Sequence, residues 1–252
     1  MLDSSQIDAT HGGRGSEDAL ENIELIIFDC DGVLIDSEPI ASGTLAASLQ
    51  QAGVVIGAEE AHARFTGNSV GVIRKMIERD YDVADVDALF AAWHEALFAE
   101  FASRLAPMPG ILDIVSGLAR PKCVASNSSM ERLERSLGSL DLWSHFSPKV
   151  FSADAVTRPK PAPDLLLHCA REMSAAPERC VMIDDSPHGI EAAVAAGMLP
   201  IDFVDPADPR PSRRALLIEA GALTVAIGAN ELLAALSQAN AELARRGDSS
   251  GA

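Results

Sequence analysis

The chain has 252 residues, which is enough for one large domain or for a domain that carries an insert. Hydrophobic residues make up 48% of it, and this excludes global disorder and allows a sizeable core. Acidic residues outnumber basic ones by 37 to 20, for a formal net charge of −17. This surplus argues against nucleic acid or an anionic membrane surface as the main partner, and an anionic substrate would need a locally positive site.

Both ends of the chain are polar. We expect residues 1–20 to form a disordered tail, because they are acidic and contain several glycines. We expect residues 238–252 to form a frayed C-terminal tail for a similar reason. Nothing in the sequence indicates an oligomeric state.

Three features favour a cytoplasmic location. The N-terminal residues lack the basic and then apolar pattern of a signal peptide. No apolar run approaches the roughly 18 residues that a membrane helix needs. No CxxC pair occurs, so the cysteines are expected to be reduced core residues. They are Cys30, Cys123, Cys169 and Cys180.

The first predicted element is a buried strand at residues 25–29, which runs into Asp29-Cys30-Asp31-Gly32. Because residues i and i+2 of an extended strand point the same way, Asp29 and Asp31 are expected to face one spot. Two such carboxylates repel each other unless a cation lies between them, and Mg²⁺ suits oxygen ligands. The pair suits phosphoryl transfer, in which one carboxylate attacks phosphorus and the other handles protons. Single pairs of this kind are common at strand ends, so the rest of the chain decides whether this pair is a functional site.

Residues 39–108 have a helical pattern throughout, and we predict helices at 40–51, 70–79 and 83–101. Apolar residues in the last of these keep helical spacing and are expected to be core. They are Val86, Leu89, Phe90, Trp93, Leu97 and Phe101. The segment starts just after the aspartate pair, where an insert is well placed to act as a cap over a site.

Strands and helices alternate in the remainder of the chain, which predicts a doubly wound α/β domain formed by residues 21–38 and 109–237. Further strands are predicted at 123–126, 150–152, 181–184 and 200–204. Helices are predicted at 111–118, 130–137, 163–173 and 190–196. Alternation of this kind favours a parallel sheet covered by helices on both faces, and ligands of such sheets bind at the carboxyl ends of the strands.

Polar residues follow the second predicted strand. It ends at Ser126, and Asn127 and Ser128 come next. Ser128 and Glu131 have the spacing of a capping box. Free backbone N–H groups at a helix start, together with the Ser126 hydroxyl, form a ready phosphate site. An ordinary helix N-cap is the alternative interpretation.

Two later segments add charged groups. Lys160 lies in a proline-rich turn that fixes the backbone, and a held ammonium can neutralise phosphate oxygens. A solvated loop lysine is the alternative. The strand at 181–184 ends in Asp184 and Asp185, which could supply the remaining metal ligands. The alternative is that Asp185 or Ser186 caps the next helix.

With these motifs in order, residues 23–236 resemble the haloacid dehalogenase-like (HAD) hydrolase superfamily. Within it they are similar to the small sugar-phosphate phosphatases and β-phosphoglucomutase, which carry a helical cap. The resemblance rests on Asp29-Cys30-Asp31-Gly32, Ser126, Lys160 and Asp184-Asp185. It implies a Rossmann-like core and a small α-helical cap at residues 39–108.

The resemblance also implies roles for the carboxylates. Asp29 would attack phosphorus and form an aspartyl-phosphate, while Asp31 would protonate the leaving oxygen and then deprotonate the attacking water. The Mg²⁺ cofactor would be held by the Asp29 carboxylate, the Asp31 backbone carbonyl and Asp185, with Asp184 bound directly or through water. The implied enzyme is a phosphatase for a small phosphomonoester.

The phosphate group would be held by Ser126, the N–H of Asn127 and Lys160. Cap residues are expected to choose the substrate, and the candidates are Gly67, Asn68, Ser69 and Arg74. The loop that contains the first three could equally be a simple helix–helix turn. The expected partner is a small phosphorylated metabolite.

Two alternatives remain. A β-phosphoglucomutase-like mutase would carry a hinge histidine where this chain has Ala41, and a cap-loop arginine near Val70. Both departures favour hydrolysis over the mutase. A catalytically silent binding or regulatory protein would use the same crevice without turnover, but no motif residue is missing.

Overall fold

The computed structural model describes residues 20–66, 68, 70–207 and 213–249. The expected disordered tail lies outside this part of the chain except for Leu20, which is buried in the main core. The tail prediction therefore extended one residue too far. None of the described helices is both long and apolar enough to cross a membrane.

The core is a six-stranded parallel sheet with the strand order β3-β2-β1-β4-β5-β6. Its strands are β1 (Leu25–Phe28), β2 (Lys122–Ser126), β3 (Val150–Ser152), β4 (Cys180–Asp184), β5 (Leu199–Val204) and β6 (Thr224–Ile227). The predicted parallel sheet is confirmed, and β6 is an edge strand that we did not predict. The chain order reverses beside β1, so the carboxyl ends of β1, β2 and β4 border one crevice.

Both faces of the sheet are buried. In β1, Ile26 and Phe28 pack into the larger hydrophobic cluster, whereas Leu25 and Ile27 pack into a second cluster on the other face. This alternation follows from the two-residue period of a strand. The four cysteines are buried within these clusters as free thiols, as expected for core residues.

Helices cover both faces of the sheet. They are α5 (Ile111–Gly117), α6 (Met130–Ser136), α7 (Trp143–Phe146), α8 (Asp164–Glu172), α9 (Pro187–Ala195), α10 (Arg213–Glu219) and α11 (Ala229–Ser249), with α1–α4 in the insert described below. Short 3₁₀ turns lie at Leu137–Ser139, Ala153–Ala155 and Pro177–Arg179. The helices predicted between the strands are confirmed within a few residues at their ends.

The prediction of a frayed C-terminal tail is wrong for residues 238–249. Helix α11 runs unbroken to Ser249, and Ala239 and Leu243 are buried in the main core. They continue a stripe that begins with Leu232 and Leu236, at the i, i+4 and i+7 spacing of a buried helix face. The charged residues on the opposite face concealed this stripe.

The insert between β1 and α5 consists of α1 (Glu38–Gln51), α2 (Ala58–Phe65), α3 (Val70–Asp80) and α4 (Val86–Arg104). The helical cap is confirmed, and α2 is a helix that we did not predict. The predicted stripe of α4 is core except for the partly buried Val86, and it joins two clusters. Leu89, Phe90 and Trp93 pack inside the cap, whereas Leu97 and Phe101 pack against the sheet domain.

Two adjacent chain segments join the cap to the core. The N–H of Asp36 donates to the carbonyl of Ala106 at 3.0 Å, and the N–H of Met108 donates to the carbonyl of Leu34 at 2.9 Å. In each of these bonds one partner, Leu34 or Asp36, lies within a few residues of Asp31 in the chain. The cap is therefore joined to the core next to the carboxyl end of β1.

Candidate active site

The ends of β1 and β4 bring three carboxylates together. Phe28 pairs with Ile183 across the two strands. The next residues, Asp29 and Asp184, therefore lie side by side. One carboxylate oxygen each from Asp29, Asp184 and Asp185 lies within 4.8 Å of the other two. This set of hard oxygen donors fits a divalent cation such as Mg²⁺.

Gly32 gives the third carboxylate room at this cluster. Its φ is +79°, and a Cβ at this position would lie only 2.7 Å from Oδ2 of Asp185. A larger residue would strain the backbone and displace the carboxylate. The glycine of the Asp-x-Asp-Gly motif thus permits the close approach of the proposed metal ligands.

Lys160 lies in the same crevice and is almost completely buried. Its Nζ donates hydrogen bonds to Oδ1 of Asp29 at 2.8 Å and to Oδ2 of Asp184 at 2.7 Å. A third bond of 3.1 Å goes to the carbonyl of Ala125. Burial disfavours the charged amine, but the two carboxylates outweigh it and raise the pKa of Lys160 above its ordinary value. Lys160 is therefore a fixed cation.

One lysine does not neutralise the whole cluster. Burial raises the pKa of Asp29 to about 7, since it outweighs the attraction of Lys160, and the charges of Asp184 and Asp31 add to the rise. A bound divalent cation would favour the ionised carboxylates. The raised pKa of Asp29 and the three clustered carboxylates thus both fit a bound divalent cation.

Asp31 has a different environment from Asp29. Its Oδ1 accepts hydrogen bonds from the Ser37 hydroxyl and, at 2.9 Å, from a terminal nitrogen of Arg132. Its Oδ2 accepts one from the Ser128 hydroxyl at 3.0 Å. Burial opposes ionisation, but Arg132 and the two serines outweigh it and hold the pKa of Asp31 below its ordinary value. The pKa values of the two aspartates of the motif are therefore shifted in opposite directions.

The loop after β2 contributes Ser126 and Asn127. Ser126 is buried, and its Oγ accepts a hydrogen bond of 3.1 Å from the N–H of Ser128. The Asn127 amide donates to the carbonyl of Lys160 and accepts from the N–H of Lys160, both at 2.9 Å. The side chain of Asn127 thus ties the two loops of the crevice together.

The predicted capping box is shifted by one residue. Ser129, not Ser128, is the N-cap of α6, and its Oγ accepts from the N–H of Arg132 at 3.3 Å. Ser128 instead points its hydroxyl at Asp31. One consequence is that the Ser128 hydroxyl lies in the crevice.

Asp184 organises the end of β4. Its Oδ1 accepts hydrogen bonds from the N–H and the hydroxyl of Ser186, at 2.9 and 2.7 Å. Ser186 is the N-cap of α9, where its Oγ accepts from the N–H of Gly189 at 3.2 Å. A Cβ at Gly189 would overlap Oδ2 of Asp184 at 1.7 Å. Asp184 therefore accepts hydrogen bonds both from Lys160 and from Ser186 at the start of α9.

A cavity of about 730 Å³ lies between this crevice and the cap. Of the four cap residues expected to choose the substrate, Asn68 lines the cavity, and Gly67 and Ser69 lie outside the described residues. Arg74 does not line it. Its guanidinium pairs with Glu78 and Asp87 and stacks on Phe90. We correct the expectation for Arg74 because these contacts hold it away from the cavity.

Sequence reasoning missed several residues of the crevice. Arg132 and Ser37 both contact Asp31, and the cap residues Trp93 and His94 line the cavity. Ser37 lies six residues after Asp31, so its proximity to the aspartate pair was a usable signal. Arg132 has no comparable signal, since its contact with Asp31 joins residues 101 positions apart.

Comparisons with known proteins identify the family of the chain. A family described as "Hydrolase: haloacid dehalogenase-like hydrolase" matches residues 23–197. A 6-phosphogluconate phosphatase from Escherichia coli strain K12 is 32% identical over 180 residues, which cover 71% of this chain and 81% of the relative. A fructose-1-phosphate phosphatase from the same strain is 32% identical over 179 residues, covering 70% and 94%.

A solved structure shares the fold. A conserved haloacid dehalogenase-like protein of unknown function from Agrobacterium tumefaciens superposes with a TM-score of 0.76 at 36% identity. The match covers 85% of this chain and 98% of the solved chain. The sheet domain and the cap therefore have a close structural counterpart.

Proposed function

The chain belongs to the haloacid dehalogenase-like hydrolases and is a phosphoric monoester hydrolase; from this premise we propose that it is a Mg²⁺-dependent phosphatase that works through an aspartyl-phosphate. One observation carries the proposal. Asp29 lies next to both a fixed cation, Lys160, and a cluster of oxygen ligands for a metal. A nucleophilic carboxylate needs both, because a phosphate ester and an aspartate repel each other.

In the first step, a carboxylate oxygen of Asp29 attacks phosphorus, and the bond from phosphorus to the leaving oxygen breaks. Mg²⁺, when bound by Asp29, Asp185 and the Asp31 carbonyl, with Asp184 directly or through water, would neutralise the negative charges and act as a Lewis acid. The role of Lys160 is to stabilise the phosphoryl oxygens as charge moves. Ser126 and the N–H of Asn127 would bind those oxygens as well.

Asp31 would serve both steps as acid and base. It first gives a proton to the leaving oxygen, and then takes one from the water that hydrolyses the aspartyl-phosphate. The ionised form suits the second step. The dianionic substrate favours the protonated form needed first, because a nearby negative charge raises the pKa of a carboxyl group. The Asp31 carboxylate accepts hydrogen bonds from the hydroxyl groups of Ser37 and Ser128, which fits a mobile proton.

We propose a phosphorylated sugar or polyol as the substrate. The named relatives act on 6-phosphogluconate and fructose 1-phosphate. Among the described residues that line the cavity, the arginine and lysine side chains, Arg132 and Lys160, are both paired with carboxylates. Glu38, Glu131 and Asp154 add further negative charge. This balance favours a neutral, hydroxyl-rich skeleton, as in fructose 1-phosphate, over one with a second anionic group, such as the carboxylate of 6-phosphogluconate.

Hydrolysis is favoured over a mutase. Ala41 and Val70 line the cavity with apolar groups, at the positions where the mutase would need a hinge histidine and a cap arginine. A cytoplasmic location is also proposed, and the free, buried thiols support it. Asn68, with its neighbours Gly67 and Ser69, stays our candidate for contacts with the sugar.

The proposal is tested by phosphate release from a panel of sugar phosphates, sugar-acid phosphates and polyol phosphates, with Mg²⁺ and with a chelator. We expect release from at least one neutral sugar or polyol phosphate, dependent on Mg²⁺. Asp29→Asn removes the nucleophile and should abolish release. Equal release by wild type and Asp29→Asn would rule out the nucleophile, whereas conversion of a hexose 1-phosphate without release would indicate the mutase.

A further inference from the structure

Helix α6 of the core packs against helix α4 of the cap through two arginines. The guanidinium of Arg132 lies 5.4 Å from the ring centroid of Phe101, and that of Arg135 lies 4.5 Å from the ring of Phe98. The two arginines are three residues apart, as are the two rings, so the pairs repeat one turn along both helices. Arginine stacks well on aromatic faces because its charged group is planar.

The two arginines differ at their other contacts. Arg132 is largely buried, with 16% of its side chain exposed, and a terminal nitrogen bonds to Asp31. Arg135 is 55% exposed and pairs with Glu131 on the helix surface. Only the inner arginine of the two therefore connects the cap to the carboxylate that handles protons.

The contact between Arg132 and Asp31 is geometrically strong. It is a charge-assisted hydrogen bond of 2.9 Å, and such bonds are shorter and about twice as strong as neutral ones. The Nε of Arg132 is buried and makes no hydrogen bond among the described residues. The guanidinium of Arg132 has two partners: it donates a hydrogen bond to Asp31 and stacks on the Phe101 ring.

We propose that Arg132 is a positioning residue, which orients the Asp31 carboxyl group toward the leaving oxygen. Through its contact with Phe101, Arg132 makes this orientation depend on the packing of the cap helix α4 against α6. The inference rests on the proposed function, since it takes Asp31 as the proton donor. Arg132 transfers no atom itself. When Asp29 bonds to phosphorus and the leaving oxygen departs, the proton of Asp31 passes to that oxygen and an alcohol is released.

This role makes a prediction about leaving groups. An alkyl alcohol leaves slowly as an anion and needs the proton, whereas p-nitrophenolate is stable as an anion and leaves without one. A residue that acts through Asp31 must therefore matter more for a sugar phosphate than for p-nitrophenyl phosphate. A residue needed only for folding or for cap packing would affect both substrates equally.

The experiment compares kcat/KM for p-nitrophenyl phosphate with kcat/KM for the best sugar or polyol phosphate of the panel. The ratio kcat/KM reports the step in which the leaving group departs, whereas the later hydrolysis of the aspartyl-phosphate is the same for both substrates. We expect Arg132→Met to lower kcat/KM for the alkyl ester at least about 10-fold more than for the aryl ester, since general acid catalysis contributes about 10²–10⁴-fold. Arg132→Lys keeps a single donor and should restore part of the difference. Phe101→Leu should give a smaller selective loss in the same direction.

Two further variants make the result decisive. Arg135→Met removes the outer stack and the surface pair with Glu131, and it should change both kcat/KM values by the same small factor. Asp31→Asn removes the acid and should show the full selective loss. If Asp31→Asn is selective but Arg132→Met and Arg132→Lys are not, the inference is overturned and the proposed function stands. If Asp31→Asn is unselective, its role as acid fails, and the inference fails with it.

Discussion

The ammonium group of Lys160 donates a hydrogen bond of 2.8 Å to Oδ1 of Asp29, although the two residues are 131 positions apart in the chain. The same nitrogen also bonds to Asp184, so a single buried cation holds two carboxylates that would otherwise repel each other. The proposed nucleophile and the proposed phosphate ligand are thus aligned before any substrate arrives, which is what electrostatic catalysis requires.

Replacement of Lys160 by Met should affect both folding and activity. The change leaves Asp29 and Asp184 buried and facing each other without a counter-charge. Removal of one partner from a buried ion pair costs about 3 kcal/mol or more, so the free energy of unfolding in urea should fall by that amount without Mg²⁺. The kcat/KM for phosphate release should fall at least about 100-fold.

Lys122 is the matched control for this change. It lies on the neighbouring strand β2, and its Nζ donates to the carbonyl of Leu118 at 2.9 Å. Lys122→Met removes a lysine that faces no carboxylate of the crevice. Both the stability and the kcat/KM of this variant should stay near wild type. Equal losses in the two variants would show that the effect of Lys160 is not electrostatic.

Mg²⁺ should raise the melting temperature of the protein. The ion would relieve the repulsion among Asp29, Asp184 and Asp185, and a ligand at 100 times its Kd stabilises by about 2.7 kcal/mol. For a chain of this size that corresponds to several degrees, at about 2–4 °C per kcal/mol. Differential scanning fluorimetry with and without Mg²⁺ measures the shift, and a chelator should reverse it and abolish phosphate release.

Asp185→Asn should remove most of this thermal shift, because it deletes one ligand charge. Asp154→Asn is its control. Asp154 also lines the cavity, but its Oδ2 accepts from the N–H of Met130, a bond that an asparagine oxygen can replace. A full shift in Asp185→Asn, or a lost shift in Asp154→Asn, would place the cation elsewhere.

Asn127→Ala should loosen the turn that presents Lys160. It deletes two hydrogen bonds to the Lys160 backbone, each contributing roughly 1 kcal/mol. We expect a loss of about 1–2 kcal/mol in stability and about 10-fold in kcat/KM, measured by urea unfolding and phosphate release. Asn240→Ala also deletes a long-range bond, to the N–H of Asn22, but far from the crevice. It should lose stability and keep kcat/KM, and a parallel loss of both in Asn240→Ala would contradict the assignment.

Gly189→Ala should disrupt the crevice at the start of α9, where Gly189 packs against Asp184. The added methyl would overlap the Asp184 carboxylate, so that the carboxylate or α9 must move. Overpacking of this kind costs about 1–3 kcal/mol, and phosphate release should fall because Lys160 loses its second partner. Circular dichroism melts and the phosphate assay measure the two effects.

Gly43→Ala provides the comparison, since Gly43 also lies within a helix but has open space around it. There the substitution should stabilise the protein by about 0.5–1 kcal/mol and leave activity unchanged. Similar outcomes for the two glycines would mean that Asp184 is not packed against Gly189 in solution.

The family, the layout of the sheet and cap, and the main charged groups of the crevice could be predicted from the sequence. The reason is local. Asp29, Ser126 and Asp184 each end or follow a buried parallel strand, and the carboxyl ends of such strands must meet at one edge of the sheet. The hydrophobic period then separates these strands from the helices of the cap, whose spacing at Leu89, Phe90 and Trp93 predicts a core face.

The pairing of the polar groups could be seen only in the folded structure. The contact of Arg132 with Asp31 and that of Asn127 with Lys160 join distant segments, and each depends on the strand register and on where a helix packs. Arg74 was misplaced for the same reason, since its partners Asp87 and Phe90 lie on the neighbouring helix α4. The helical end of α11 was not predicted, because its charged residues drew attention away from the buried stripe that contains Ala239 and Leu243. Long-range packing and strand register, which no local pattern encodes, settled the pairing of the polar groups.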